Sequence, residues 1–227
     1  MNVAGVMEIP RSELKDMHDA VCVVTGANSG IGKAAAAELA RLGAHVVVCR
    51  NEQRGRNAQS EIQAAAETAR PSRTDKVDLL IADLAVQQEV HHLGETIRTD
   101  YDRLDVLVNN AGVFCDTREE TVDGVERTFA VNHLAPFLLT HLVLPRLRET
   151  AGRVGEARII TVSSKAHRGT SIDFDDINAE QGNNALQAYG QSKLANIFFT
   201  HELARRLQDE GVLANAVHPG VVDTNIW

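Results

Sequence analysis

Short apolar runs alternate with longer amphipathic stretches along nearly the whole chain. The runs rich in Val, Leu and Ile are Ala20–Thr25, Ala44–Cys49, Val77–Ala82, Val106–Asn109, Arg158–Ser163 and Leu213–His218. Continuous apolarity of this kind suits strands buried on both faces of a parallel sheet. Helical spacing fills the intervals over Gly30–Leu42, Gln53–Ala69, Val86–Asp100, Val122–Thr150 with a break near Pro136, and Ala185–Asp209. Such alternation predicts an α/β fold: a doubly wound parallel sheet of Rossmann type, with helices on both faces and right-handed crossovers.

A chain of 227 residues is within the single-domain range for such folds. Met1–Asp19 is polar and charged and reads as an N-terminal extension, not a secretory signal, ahead of one domain over residues 20–227. The net charge of −8 argues against a nucleic-acid partner and against an anionic membrane surface. No uninterrupted apolar run approaches the roughly 20 residues of a bilayer span, so the expected address is cytoplasmic. Cys22, Cys49 and Cys115 have no metal-type spacing; the first two sit in apolar runs as small hydrophobes. No metal is expected. Asp173, Asp175, Asp176 and Glu180 read as a solvated loop, and His91-His92 as a helix surface.

Candidate chemistry begins at Thr25-Gly26-Ala27-Asn28-Ser29-Gly30-Ile31-Gly32, between the first strand and the first helix. Glycines let a backbone turn tightly and approach a pyrophosphate, and the helix N-terminus behind them offers free N–H groups to an anion. Tyr189 and Lys193 lie four apart in a helical pattern and so share a face. An ammonium beside a phenol lowers a pKa that is otherwise near 10, which makes the pair a general acid/base unit. Ser163-Ser164 closes the fifth strand, at the sheet end where ligands of open α/β folds bind. A serine there can hold a substrate carbonyl oxygen; a turn or helix cap is its commoner use. Asn109-Asn110-Ala111-Gly112 ends the fourth strand in the same layer.

Together these motifs resemble the short-chain dehydrogenase/reductase family, in the family's order, from about Ala20 to Thr224. The resemblance implies hydride transfer between a nicotinamide cofactor and a small-molecule carbonyl or alcohol. Its catalytic set falls on Asn132, Ser164, Tyr189 and Lys193, with Asn132 linking Lys193 to solvent through a water. Lys193 and Tyr189 also face the nicotinamide ribose. The cofactor set falls on Gly26, Asn28, Ser29, Gly30, Ile31, Gly32, Arg50, Asn51, Asp83, Leu84, Asn110, Ala111 and Gly112. Pro219, Gly220, Val222 and Thr224 match the segment at the nicotinamide end. Asp83 looks like the adenine contact. No acid follows the second strand; Arg50 stands there instead, which favours the 2′-phosphate of NADP over NAD.

Ala130–Leu134, Ser163–His167, Ser192–Asn196 and Val217–Val221 further resemble the retinol dehydrogenase-like branch, implying a lipophilic substrate. Phe198, Phe199, Leu203 and Leu207 continue the tyrosine helix as core, the competing reading being a homodimer face. Family members usually continue past Pro-Gly into another strand and more helices, whereas this chain ends at Trp227. The expected sheet therefore lacks the usual last strand. The alternative to an enzyme is a non-catalytic dinucleotide-binding member acting as a regulatory or scaffolding partner.

Overall fold

The computed structural model describes residues 16–49, 51–71, 77–182, 184–220 and 222; for residues 45–49 only the backbone is described. Strands β1 (Val21–Thr25), β2 (His45–Cys49), β3 (Asp78–Leu80), β4 (Val106–Asn109), β5 (Ala157–Val162) and β6 (Val212–Val217) form one sheet. Their order is β3-β2-β1-β4-β5-β6, and every neighbouring pair is parallel. Helices α1 (Gly30–Arg41), α2 (Glu52–Ala69), α3 (Gln87–Asp100), α4 (Arg127–Phe129), α5 (Ala135–Val154) and α6 (Ala185–Arg206) cover its two faces. This is the doubly wound arrangement that the alternation predicts.

Strand residues divide by parity between two cores. Cys22 and Val24 pack with Ala36, Ala40, Ala58 and Ile62 of α1 and α2. Val21, Val23, Leu107 and Ile159 pack with Ile97 of α3 and Leu139, Val143 and Leu147 of α5. Successive side chains of a strand point to opposite faces, which is why a strand covered on both sides reads as an unbroken apolar run. Burial holds the Cys22 thiol far above its usual range, so it behaves as an inert hydrophobe. The N-terminal extension begins to pack before β1: Met17 N–H donates to the Leu42 carbonyl at 3.0 Å.

Two expectations need correction. The helix expected over Val122–Thr150 starts at Arg127 instead. Val122 is 83% exposed in the turn before it, and buried Glu126 sits at the N-cap, its carboxylate accepting Thr128 N–H and Phe129 N–H at 2.7 Å each. Nor does the chain break at Pro136. Ala130–Leu134 form a π-helical turn that carries α4 directly into α5, and Pro136 follows that turn at once. The combined stretch Arg127–Val154 is long and apolar enough to cross a membrane by length and composition, but 56% of its apolar window is buried against the rest of the fold.

Candidate active site

The strand order reverses between β1 and β4, and the carboxyl ends of these two strands are laced together. Thr25 Oγ1 accepts from the Asn110 and Ala111 backbone N–H groups, both at 3.0 Å. Asn110 Nδ2 donates to the Thr25 carbonyl at 2.8 Å. A Cβ on Gly26 would lie 2.9 Å from Ala111 Cα, and one on Gly32 would press on Asn110 Nδ2 and lie 2.6 Å from the Gly26 carbonyl oxygen. These glycines are therefore already required by the packing of the loop on β4, before any ligand approaches. Gly26 also has φ 68°, in the left-handed region.

Beside this knot lies a cavity of about 550 Å³. Of the residues expected to bind a cofactor, Gly26, Asn51, Asp83, Leu84, Ala111 and Gly112 line it. Asn28, Ser29, Gly30, Ile31 and Gly32 form the loop and first turn of α1. Ser29 stands at the N-cap, and its own side chain makes no capping bond. A glycine loop leading into a helix N-terminus, and a cavity at the strand-order reversal, fit a dinucleotide. Asp83 is fixed locally: its Oδ1 accepts Ala85 N–H at 2.9 Å, and its own N–H donates to Glu89 Oε2 at 2.6 Å. Sequence reading missed Arg54, Glu89, Val113 and Arg127 in the cavity wall. Arg54 could have been found, since it is a second arginine only four positions after Arg50 in the sequence. Arg50 and Thr224 lie outside the described residues. Pro219, Gly220 and Val222 are exposed and do not line the cavity.

The other cluster forms where β5 and α6 meet. Tyr189, Ser192, Lys193 and Asn196 are buried along one face of α6. The two serines ending β5 have separate tasks. Ser163 Oγ donates to the Lys193 carbonyl at 2.8 Å and anchors the helix. Ser164 hydrogen-bonds the Tyr189 side chain; its Oγ also accepts Ala166 N–H at 3.3 Å, capping the short 3₁₀ turn Lys165–His167. The capping reading of Ser164 is thus met, and the same side chain stands against that of Tyr189. The Phe114 ring stands edge-on to Tyr189 with centroids 5.6 Å apart.

Lys193 is only 2% exposed. Its ammonium donates to the Val162 carbonyl at 3.1 Å and lies 5.5 Å from the Tyr189 ring centroid. Burial lowers the Lys193 pKa from 10.5 to about 8. For Tyr189 the expected depression is not met: burial raises the phenol, and the Ser164 hydrogen bond pulls only partly against it. The ammonium sits over the ring and is turned to a backbone carbonyl. Asn132 is fully buried. Its Nδ2 donates to the Val113 carbonyl at 3.0 Å and to Ser192 Oγ at 3.1 Å, while its Oδ1 accepts Val113 N–H at 2.8 Å.

Other candidates resolve as ordinary structure. The Asp173 and Asp176 carboxylates accept backbone N–H groups of Asp175, Asp176, Glu180 and Gln181, which folds the acidic loop on itself. His91 and His92 are exposed. Leu203 and Leu207 pack in the core, but Phe198 is 56% exposed and is not a core residue; it falls on the outward side of α6.

A sequence profile described as "short chain dehydrogenase" matches residues 20–227. Human retinol dehydrogenase 14 is 45% identical over 218 residues, covering 92% of this chain and 64% of that protein. Mouse retinol dehydrogenase 12 is 44% identical over 207 residues, covering 91% and 62%. The chain thus spans less than two thirds of these relatives. Among solved structures, a short-chain dehydrogenase from Sphingobium yanoikuyae in complex with NADPH superposes with a TM-score of 0.73 at 25% identity, covering 92% of this chain and 71% of that one. The Pseudomonas aeruginosa RhlG/NADP active-site complex gives 0.74 at 26% identity, covering 93% and 77%. The chain belongs to the short-chain dehydrogenase family, and is similar to its retinol dehydrogenases.

Proposed function

We propose that this member of the short-chain dehydrogenase family moves hydride between NADP(H) and the carbonyl or alcohol carbon of a lipophilic small molecule. The observation that carries this reading is the convergence at α6: a buried phenol hydrogen-bonded to a serine, with a buried ammonium over its ring. When bound, the nicotinamide supplies the hydride. Every proton step falls to the chain's own residues. Ser164 orients the substrate oxygen beside Tyr189. Burial keeps Tyr189 a neutral phenol at neutral pH, the form that gives a proton to a carbonyl oxygen as negative charge grows there. In the reverse direction the phenolate needs positive charge nearby, a role this reading assigns to Lys193, whose ammonium lies 5.5 Å from the ring centroid. Asn132 fixes Val113 beside the cavity and is tied through Ser192 to α6. The link from Lys193 through a water at Asn132 belongs to the same proposal.

Preference for NADP(H) rests on Arg50 and on Arg54 in the cavity wall, together with NADP or NADPH in the two structural neighbours. A lipophilic substrate rests on the similarity to retinol dehydrogenases. A homodimer through α6 is supported by Phe198 of α6 and Phe137 of the adjoining α5, 56% and 50% exposed, beside the ring pair Phe137–Phe199. The test is a fluorescence titration with NADPH and with NADH, followed by turnover of a carbonyl panel by the wild type and Tyr189→Phe. NADPH-selective binding, reduction of lipophilic carbonyls and loss of turnover in the variant with binding retained are expected. Binding with no turnover across the panel would move the assignment to a non-catalytic dinucleotide-binding partner.

A further inference from the structure

The turn that carries Asn132 is π-helical, over Ala130–Leu134. Pro136 explains why its carbonyl needs help. In an α-helix the Asn132 carbonyl would accept the N–H of the residue four positions on, and that residue is a proline without one. A proline ring also crowds the same carbonyl, and a wider π turn relieves this. The donor comes instead from another helix: Asn196 Nδ2 of α6 reaches the Asn132 carbonyl at 2.8 Å. Asn196 is itself buried. Its Oδ1 lies 3.0 Å from His133 Nδ1.

This pairing fixes both groups. A carbonyl only accepts, so the nitrogen of the Asn196 amide must face Asn132 and its oxygen must face His133. His133 therefore carries a proton on Nδ1 and donates it. Burial disfavours the charged imidazole, and its ring packs among Phe129, Phe137 and Phe199. One primary amide thus clamps two consecutive residues of the π turn to α6. A second clamp sits one turn earlier on α6, where Ser192 Oγ accepts from Asn132 Nδ2 and donates to the Tyr189 carbonyl at 2.7 Å. Asn132 is gripped by its backbone and by its side chain, both times from the helix that carries Tyr189 and Lys193.

We propose that Asn196 is a positioning residue: its amide holds the π turn of Asn132 in register with the Tyr189–Lys193 helix. The consequence for catalysis rests on the hydride-transfer reading above; the clamp itself does not. Asn196→Leu removes both bonds. Asn196→Asp keeps an acceptor for His133 and, as the carboxylate, has no donor for Asn132. The first readout is hydrogen exchange of the Asn132 side-chain amide by NMR, with or without cofactor. Both variants are expected to exchange it about 10-fold faster or more while keeping the wild-type circular dichroism. The second readout is turnover, where a group misplaced by about 1 Å costs roughly 10²-fold in kcat, with NADPH affinity unchanged. Asn132 protection equal to wild type in both folded variants would overturn the proposal. So would kcat within about 2-fold of wild type in a chain whose Tyr189→Phe variant is inactive. Full activity in Tyr189→Phe would instead remove the hydride-transfer reading and leave the exchange result to decide the clamp. If Asn196→Leu does not fold, Asn196→Asp alone is decisive by the same two readouts.

Discussion

Lys193 offers a direct measurement of what its burial costs. The ammonium is buried with a backbone carbonyl as its hydrogen-bond partner, and its pKa falls from 10.5 to about 8. Unfolded, the lysine holds its proton up to about 10.4. Between about pH 8 and 10.5 the unfolded state therefore binds more protons than the folded one. Stability from this group then rises with pH across that window, and the penalty is fully present below it. The whole window corresponds to about 3 kcal/mol, and the part released between about pH 7 and 9.5 is about 2 kcal/mol. Other groups titrate over the same range, so the useful quantity is a difference. Lys193→Met keeps length and apolar packing and removes the titration. Urea unfolding of wild type and Lys193→Met, followed by far-ultraviolet circular dichroism, should give the variant its largest advantage near pH 7. That advantage should shrink by about 2 kcal/mol at about pH 9.5. An advantage that stays constant with pH would refute the reasoning, because it would mean the folded chain holds the Lys193 proton as tightly as the unfolded one.

Further outcomes follow from other positions. Arg50→Ala should weaken NADPH binding far more than NADH binding in a fluorescence titration; equal losses would remove the 2′-phosphate assignment. Gly32→Ala should destabilise the fold by about 1–3 kcal/mol, because its Cβ presses on Asn110 and on the Gly26 carbonyl, and thermal melts without ligand should show the loss. Asp105→Ala should cost about 1–3 kcal/mol or more in urea unfolding, since its carboxylate accepts Val21 N–H at 2.9 Å and pairs with Arg103 at 2.5 Å; an unchanged midpoint would show that water replaces it.

Much of the fold was legible because it depends on local pattern. Parallel strands covered on both faces leave apolar runs, and each expected strand overlaps an observed one. The Tyr189–Lys193 spacing was legible for a similar reason, since one helix holds both. The depth of Lys193 was not, because a lysine on a helix face reads as a solvated charge until a strand is packed over it. The separate tasks of Ser163 and Ser164 were equally closed to inspection. Strand alternation says that they face opposite ways, but only the contact with α6 says which one meets Tyr189. Glu126 was missed as a helix start because Ser, Thr, Asp and Asn are the usual N-caps.

Pro136 shows how one misreading and one functional feature share a cause. A proline within a helical pattern signals a break because it lacks a donor and crowds the preceding turn. Both effects are present here. The chain meets them by widening the turn, and the helix continues. The carbonyl left without its in-helix donor belongs to Asn132, a residue that sequence reading had already placed in the catalytic set. Supplying that carbonyl with a donor requires a second helix at close range, and α6 provides it through Asn196. The same proximity brings Ser192 to the Asn132 side chain. The defect in one helix is therefore what ties it to the helix carrying the phenol and the ammonium. Pro136→Ala would supply the Asn132 carbonyl with an in-helix donor, so the Asn196 side-chain amide, which now fills that role, is expected to exchange its protons faster by NMR; exchange at the wild-type rate would show that the clamp does not depend on the proline.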